Sequence, residues 1–439
     1  MQYGLIGERL GHSFSAELHR CFGRYDYSLF ELAPSALGVF LKRRDFAGLN
    51  VTIPYKQAVI PYLDRLDAQA AAIGAVNTVV NRGGLLWGYN TDFGGMEAAL
   101  RRLISRTEAP VSSADGAAAL AGKTALILGT GGTSQTALAV CKALGAAACF
   151  RVSRTGRAGA LRYEEAAVRF GAAAPPGGGK LWMLNCTPAG MHPDLDGMPL
   201  DPADFPTLEG VFDCVYNPLR TRLVLAAQAR GLPAGGGIEM LVQQAALACA
   251  LFTGAPVTEG AVAALCASLL QGRENLVLIG MPGAGKTTVG RLLAQRLGRE
   301  FADTDEMIVQ RCGASVSTIF ATHGEAHFRA LEESVVRELS ASGAKVIATG
   351  GGTVLREDNV RRLRQNGRLY FLDRPPAALT PSEDRPLGDT GEKLRRLYAA
   401  RLPLYRAAAD CTISAPNSPA AAADAIVREW NGRGRREAE

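Results

Sequence analysis

The chain has 439 residues, 47% hydrophobic and 21% charged, with a formal net charge of +6. That length exceeds one ordinary core and predicts two or three domains, each able to fold alone. The composition is that of a soluble globular protein: it excludes a membrane span, and scattered arginines with only 7% aromatic residues argue against nucleic acid and for pockets that hold small anions.

Taken in order, MQYGLIG reads as a first strand and not as a signal peptide. Residues 2–103 alternate strand and helix patterns, with strands predicted at 48–53 (ending at Pro54), 73–80 and 85–90. The run 105–121 is small and polar and reads as a connection. A buried strand at 124–129 leads into a glycine turn that opens a helix, and further strands are predicted at 147–154, 182–186 and 211–216. Such alternation implies a parallel sheet with helices on both faces. Residues 174–180 form a turn cluster. Apolar-periodic helices at 238–253 and 257–270 precede a very short linker, 271–274. No repeat of 20–50 residues is visible. Nine cysteines lie far apart with no C-x-x-C pair, which predicts reduced thiols and a cytoplasmic location.

The turn Gly129-Thr130-Gly131-Gly132 would let a backbone approach a pyrophosphate at a helix N-terminus. Ser134 holds the third glycine's place, so two readings stand: a dinucleotide site or a tight strand-to-helix turn. Next to it, residues 152–157 carry Ser153, Arg154, Thr155 and Arg157 and no acid. An NAD site usually places an acid there for the ribose diol; guanidinium groups suit a 2′-phosphate and favour NADP(H). The bland alternative for the two arginines is a solvated surface pair.

A second glycine loop, Gly280-x-x-x-x-Gly285-Lys286-Thr287, follows an apolar strand at 276–279 and opens a helix. This is the order of a P-loop. It predicts ATP bound by Gly283, Ala284, Gly285, Lys286, Thr287 and Thr288, with Lys286 on the β/γ oxygens and the Thr287 hydroxyl on Mg²⁺. Asp303 and Asp305 follow a short strand-like segment, Glu300–Ala302. One carboxylate would serve the metal and the other an acceptor hydroxyl; the competing reading is a helix N-cap. Two histidines, His323 and His327, lack an H-E-x-x-H pattern and read as surface residues.

Further segments carry a family resemblance. Gly11-His12-Ser13-Phe14-Ser15, Asn50-Val51-Thr52-Ile53-Pro54-Tyr55-Lys56, Gly74-Ala75-Val76-Asn77-Thr78, Asn90-Thr91-Asp92, Asn185-Cys186-Thr187-Pro188-Ala189-Gly190-Met191, Tyr216-Asn217-Pro218-Leu219 and 237–244 resemble shikimate dehydrogenase, in order, over residues 3 to about 255. The resemblance implies that Ser13, Ser15, Thr52, Asn77, Tyr216 and Gln244 grip the substrate. It implies that Lys56 and Asp92 form the catalytic pair, and that Gly129, Gly131, Gly132, Ser153, Arg154, Thr155, Arg157 and Asn185 hold NADP(H). Arg9 and Ala16 stand where that family usually has prolines.

Residues 275 to about 430 resemble shikimate kinase. The resemblance rests on the P-loop, Asp303-Thr304-Asp305, Gly324-Glu325-x-x-Phe328-Arg329-x-x-Glu332, Gly350-Gly351-Gly352, Asp384-Arg385-Pro386-Leu387 and Arg401-x-Pro403-Leu404-Tyr405. By that resemblance Asp303 helps Thr287 hold Mg²⁺ and Asp305 contacts the hydroxyl to be phosphorylated. Arg329 and Arg401 clamp a carboxylate, Gly351 and Gly352 line the ring, and Arg385 closes on the phosphates from a lid.

The expected architecture is α/β throughout: a two-domain dehydrogenase, an α/β substrate domain plus a Rossmann NADP domain, followed by a P-loop domain of the nucleoside-monophosphate-kinase type with α/β/α layers. The substrate domain is assigned to 1–103 completed by 238–270, the Rossmann domain to 104–237, the kinase to 275–432 and a charged tail to 433–439. The expected activities are reduction of 3-dehydroshikimate with NADPH and phosphorylation of shikimate with ATP and Mg²⁺. An NAD-using quinate/shikimate dehydrogenase fused to the same kinase, or one half that only binds a metabolite, are the alternatives. Oligomerisation stays open.

Overall fold

The computed structural model describes residues 2–11, 13–23, 25–105, 119–171, 179–379, 391–414 and 418–438. Its contacts divide into two compact units, one formed by Met1–Asn217 with Thr221–Cys266 and one by Pro218–Arg220 with Ala267–Glu439. Among the described residues no helix is long and apolar enough to cross a membrane.

The first unit holds two sheets. Strands β1 (Gln2–Gly7), β2 (Tyr27–Glu31), β3 (Phe46–Val51), β4 (Arg65–Leu66), β5 (Thr78–Arg82) and β6 (Leu85–Tyr89) form a mixed sheet in the order β2-β1-β3-β5-β6-β4. β1 is parallel to β2 and β3, whereas β5 runs antiparallel to β3 and β6. The strand predicted at 73–80 begins only at Thr78. Asp67 caps a helix, Ala68–Ile73, by accepting the Ala70 N–H, and Gly74 ends it at φ +70°. The connecting Val76 and Asn77 then donate their N–H groups to Lys56 and Tyr89 carbonyls. A left-handed C-cap resets the chain direction, so the apolar run is split between helix and strand.

The second sheet is wholly parallel: β7 (Thr124–Leu128), β8 (Ala148–Val152), β9 (Leu181–Asn185), β10 (Leu208–Asp213) and β11 (Ala234–Gly235), in the order β11-β10-β9-β7-β8. Alternate residues of β7 feed two cores. Ala125 and Ile127 join Trp182, Leu184 and Phe212, while Leu126 and Leu128 join Leu181, Met183 and Val211. A strand covered on both faces reads as a continuous apolar run, which is why period-2 polarity is missing from it. The helix Ile238–Thr253 returns to pack on the helix Thr91–Ser105 and on β3 and β5. A Cβ on Gly48 of β3 would lie 2.5 Å from the Phe252 ring, so only glycine admits that approach.

The second unit is one parallel sheet of β12 (Asn275–Ile279), β13 (Glu300–Asp303), β14 (Lys345–Ala348), β15 (Gly367–Asp373) and β16 (Cys411–Ser414), in the order β13-β14-β12-β15-β16. Leu276, Val277, Leu278 and Ile279 of the central strand are fully buried. Each such side chain stabilises the fold by roughly 1.5–3 kcal/mol relative to exposure. Residues 271–273, expected as linker, are the last turn of the helix Glu259–Arg273. The charged end of the chain continues the helix Pro419–Ala438.

Candidate active sites

In the first unit, Lys56 follows β3 and Asp92 sits in the first turn of Thr91–Ser105, where the helix dipole favours a carboxylate. Lys56 Nζ lies 2.6 Å from Asp92 Oδ2. Asn77 is tied to the same helix start: its Oδ1 accepts the Thr91 N–H at 2.7 Å, and its Nδ2 donates to Thr91 Oγ1 at 2.9 Å and Gln244 Oε1 at 3.4 Å. Asn90 caps that helix from its other side by accepting the Phe93 N–H. The Ser15 N–H donates to Ser13 Oγ at 3.2 Å, and Phe14 between them packs on the Tyr216 ring at 5.1 Å. Thr52 follows β3 directly, and Gly7 leaves room for its methyl group.

Behind this cluster lies a buried network. Tyr27 donates to Asn50 Oδ1 at 2.7 Å, and Asn50 Nδ2 donates to Thr78 Oγ1 at 3.1 Å; Thr78 in turn donates to Asn77 Oδ1 at 3.1 Å. His19 stacks on Tyr27 at 4.2 Å and bonds Tyr25 through Nδ1. Burial pushes its pKa down to about 4 against the opposing hydrogen bond of Asn50. Sequence reasoning missed Tyr27, Asn50 as a network member and His19. The one signal was the polar Asn50 inside the otherwise apolar β3; His19, on the helix Ser15–Phe22, gave none.

The dinucleotide turn stands beside Lys56. Gly129 ends β7 at φ +118°, and Gly131 precedes the helix Gly132–Ala143. A Cβ on Gly132 would be 3.7 Å from the Lys56 side chain, and one on Gly131 would meet nothing within 4 Å. The turn is thus an open cradle at a helix N-terminus, fit for a pyrophosphate. Ser134 turns inward and donates to the Gly131 carbonyl at 2.8 Å. At the end of β8, next to β7, Arg154, Thr155 and Arg157 are exposed and Ser153 Oγ accepts the Gly156 N–H. Forked cations there fit a 2′-phosphate.

Asn185 is buried and its side chain is spent locally, on Thr187, the Ala189 carbonyl and Asp213. It shapes the loop after β9. Asp213, missed by sequence reasoning, accepts from Asn185, Val215 and Thr221; burial still holds its carboxyl up at about 6.

In the second unit the loop after β12 carries Gly280, Gly283 and Gly285 at positive φ, and Ala284 is buried among them. Lys286 Nζ donates to the Gly280 and Met281 carbonyls at 2.8 and 2.9 Å. Thr288 is exposed at the start of the helix Lys286–Leu297. Thr287 donates to Asp303 Oδ2 at 2.7 Å, while Asp303 Oδ1 caps the helix Thr304–Cys312 by accepting the Asp305 and Glu306 N–H groups. The N-cap is therefore Asp303, and Asp305 lies in the first turn. A hydroxyl and a carboxylate oxygen side by side are hard donors that fit Mg²⁺.

The glycines after β14 gather the rest. Cβ atoms on Gly350, Gly351 and Gly352 would collide with Asp305 and Glu332, with Pro282, and with the Arg329 guanidinium respectively. Arg329 pairs with Glu332 at 2.8 Å and Glu325 at 3.1 Å. Arg401 donates to the Gly351 carbonyl at 3.0 Å, and the Tyr405 hydroxyl donates to the same oxygen. Asp305, Arg329, Arg401, Gly351 and Gly352 thus meet beside the phosphate loop. Arg385 lies outside the described residues. Glu332, Tyr405 and Arg374, the last beside Gly285, were not predicted as site residues. Glu332 and Tyr405 were visible in sequence only as motif letters. The two histidines share one helix, at 4.8 Å, but flank a non-helical Gly324.

Residues 5–79 match the shikimate dehydrogenase substrate binding domain, and residues 282–431 match shikimate kinase. The shikimate dehydrogenase (NADP(+)) of Moorella thermoacetica is 37% identical over 277 residues, 58% of this chain and 88% of that protein. The shikimate kinase of Chromohalobacter salexigens is 43% identical over 167 residues, 36% of this chain and 93% of that protein. The chain belongs to both families. Its dehydrogenase half also resembles solved structures. Shikimate dehydrogenase 1 of Peptoclostridium difficile is 30% identical with a TM-score of 0.52, covering 61% of this chain and 98% of that one. A chorismate mutase/shikimate 5-dehydrogenase fusion protein of Clostridium acetobutylicum is 29% identical with a TM-score of 0.53, covering 61% and 96%.

Proposed function

We propose that the chain catalyses two consecutive reactions: NADPH-dependent reduction of 3-dehydroshikimate to shikimate, and ATP-dependent phosphorylation of shikimate to shikimate 3-phosphate. The observation that carries the reading is the half-buried Lys56–Asp92 ion pair, 2.6 Å long, beside the glycine turn of the dinucleotide cradle.

NADPH supplies the hydride at the first site, and ATP with Mg²⁺ supplies the phosphoryl group at the second. At the first site the Lys56 ammonium stabilises the oxygen on which charge develops and gives it a proton, while Asp92 holds the ammonium in place. Ser13, Ser15, Thr52, Asn77, Tyr216 and Gln244 orient the ring. The exposed Arg154 and Arg157 support NADP over NAD. At the second site Lys286 and the loop N–H groups neutralise phosphate charge, and Thr287 with Asp303 hold the metal. Asp305 accepts the hydroxyl proton, and Arg329 and Arg401 fix the carboxylate. The substrate domain comprises 1–103 with 238–270, the cofactor domain 104–237 and the kinase 275–432. Nine free thiols support a cytoplasmic enzyme.

The test is one coupled assay of the full chain with 3-dehydroshikimate, NADPH and MgATP. NADPH loss followed by ADP release is expected. A folded protein that reduces no dehydroshikimate and phosphorylates no shikimate overturns the reading; a strong preference for NADH would favour the quinate/shikimate alternative.

A further inference from the structure

Cys186 and Cys214 are the first residues beyond β9 and β10, whose last residues, Asn185 and Asp213, are paired in register. The Cys214 N–H donates to the Asn185 carbonyl, so the strands stay joined up to this point. The two sulfurs lie 3.8 Å apart, and both residues are half-buried. Adjacent strands run about 4.8 Å apart, inside the Cα separation a disulfide accepts. The pair occupies the carboxyl end of a parallel sheet, where this class of fold receives its ligand.

What surrounds the pair makes it consequential. A Cβ on Gly129, the first glycine of the dinucleotide turn, would sit 3.2 Å from the Cys186 carbonyl. A Cβ on Gly237, just before the helix that carries Gln244, would sit 2.3 Å from the Cys214 carbonyl. Both turns are packed backbone to backbone on the cysteines. Neither can yield independently of them.

We propose that Cys186 and Cys214 form an oxidative modification site: a hydroperoxide converts them to a disulfide that reversibly shuts off the dehydrogenase half. The effect on activity rests on the dehydrogenase reading; the chemistry does not. The Cys186 sulfur attacks the peroxide oxygen, the O–O bond breaks, and water or an alcohol leaves, giving a sulfenic acid. The Cys214 sulfur then attacks that sulfur; the S–O bond breaks and the hydroxyl departs with the Cys214 proton as water. Two electrons pass from the sulfur pair to the peroxide, and a dithiol reverses the change. The roles follow from the hydrogen bond to Cys186 and from burial, which keep Cys214 protonated. Drawing the sulfurs from 3.8 Å to the bond length of about 2.05 Å shifts both turns.

The test uses the full chain, reduced and then exposed to hydrogen peroxide, with three readouts: non-reducing peptide mapping, dehydrogenase rate and kinase rate. The reduced rates are recorded first, so an absent dehydrogenase activity is distinguished from an absent switch. Expected are a 186–214 linkage and a dehydrogenase rate lower by roughly ten- to a hundredfold, since displacements near 1 Å cost that much. Kinase rate should persist and dithiothreitol should restore reduction. Cys186→Ser and, separately, Cys214→Ala should keep the basal rate and resist peroxide. The proposal is overturned if those thiols remain free while activity falls. It is equally overturned if a linkage between Cys141 of the helix Gly132–Ala143 and Cys149 of β8, whose thiols share a hydrogen bond, accounts for the loss, if the disulfide forms without effect, or if both variants remain sensitive.

Discussion

The Gly351 carbonyl oxygen accepts two hydrogen bonds from one helix, from the Arg401 guanidinium and, one turn on, from the Tyr405 hydroxyl. Tyr405 is itself held by stacking on Phe371 of β15 at 5.0 Å. A cation expected to clamp substrate and the loop expected to line the ring are thereby fixed to each other.

Tyr405→Phe keeps the stacking and removes one donor. The shikimate KM of the kinase should rise by roughly two- to tenfold, the usual worth of one neutral hydrogen bond. The ATP KM and the dehydrogenase rate should stay near those of the parent. Steady-state kinetics with each substrate varied in turn decides it; an equal rise in both kinase KM values would show general damage to the fold.

Lys56→Ala removes the ammonium that faces Asp92. Reduction of 3-dehydroshikimate should fall by about 10² to 10⁴, the span of general acid catalysis, with phosphorylation intact. Lys286→Ala should do the opposite. Following NADPH absorbance and ADP release on the same purified variants checks both, and loss of both activities in either folded variant would count against separate sites.

Arg154→Ala with Arg157→Ala deletes the exposed cations after β8. NADPH affinity should drop by roughly ten- to a hundredfold, as for lost charge-assisted hydrogen bonds, while NADH affinity changes little. Titration of cofactor fluorescence measures each. An unchanged NADPH affinity would make the arginines mere surface charge.

His19 gives a pH dependence with a definite sign. Its pKa falls from 6.5 to about 4 on folding, because burial disfavours the imidazolium. The unfolded chain therefore takes up the proton first on acidification. The contribution is complete above pH 6.5 and is lost as pH falls through about 4; its full size is about 3 kcal/mol. Urea unfolding monitored by loss of dehydrogenase activity at pH 4.5, 5.5 and 7 should show falling midpoints, and His19→Phe should flatten that trend.

The sequence by itself determined the kinds of element and the chemistry each turn can host. Continuous apolar strands such as 124–128 and 276–279, each running into glycines and a helix pattern, say strand, phosphate cradle and helix in one line, because backbone N–H geometry at a helix start depends only on local conformation. Residue types along the motifs, through the family resemblance, gave the expectation of a proton donor, carboxylates and carboxylate-binding arginines. Tertiary structure alone decided which atoms meet. Lys56 and Asp92 are 36 residues apart, Asn77 and Gln244 167 apart, and Gly351 and Arg401 50 apart. Such pairings come from sheet order and helix return, which no window of sequence contains. The same holds for the split of 73–80, where one left-handed glycine outweighed an apolar run. It holds also for the thiols of Cys186 and Cys214, ordinary letters until two parallel strands end side by side.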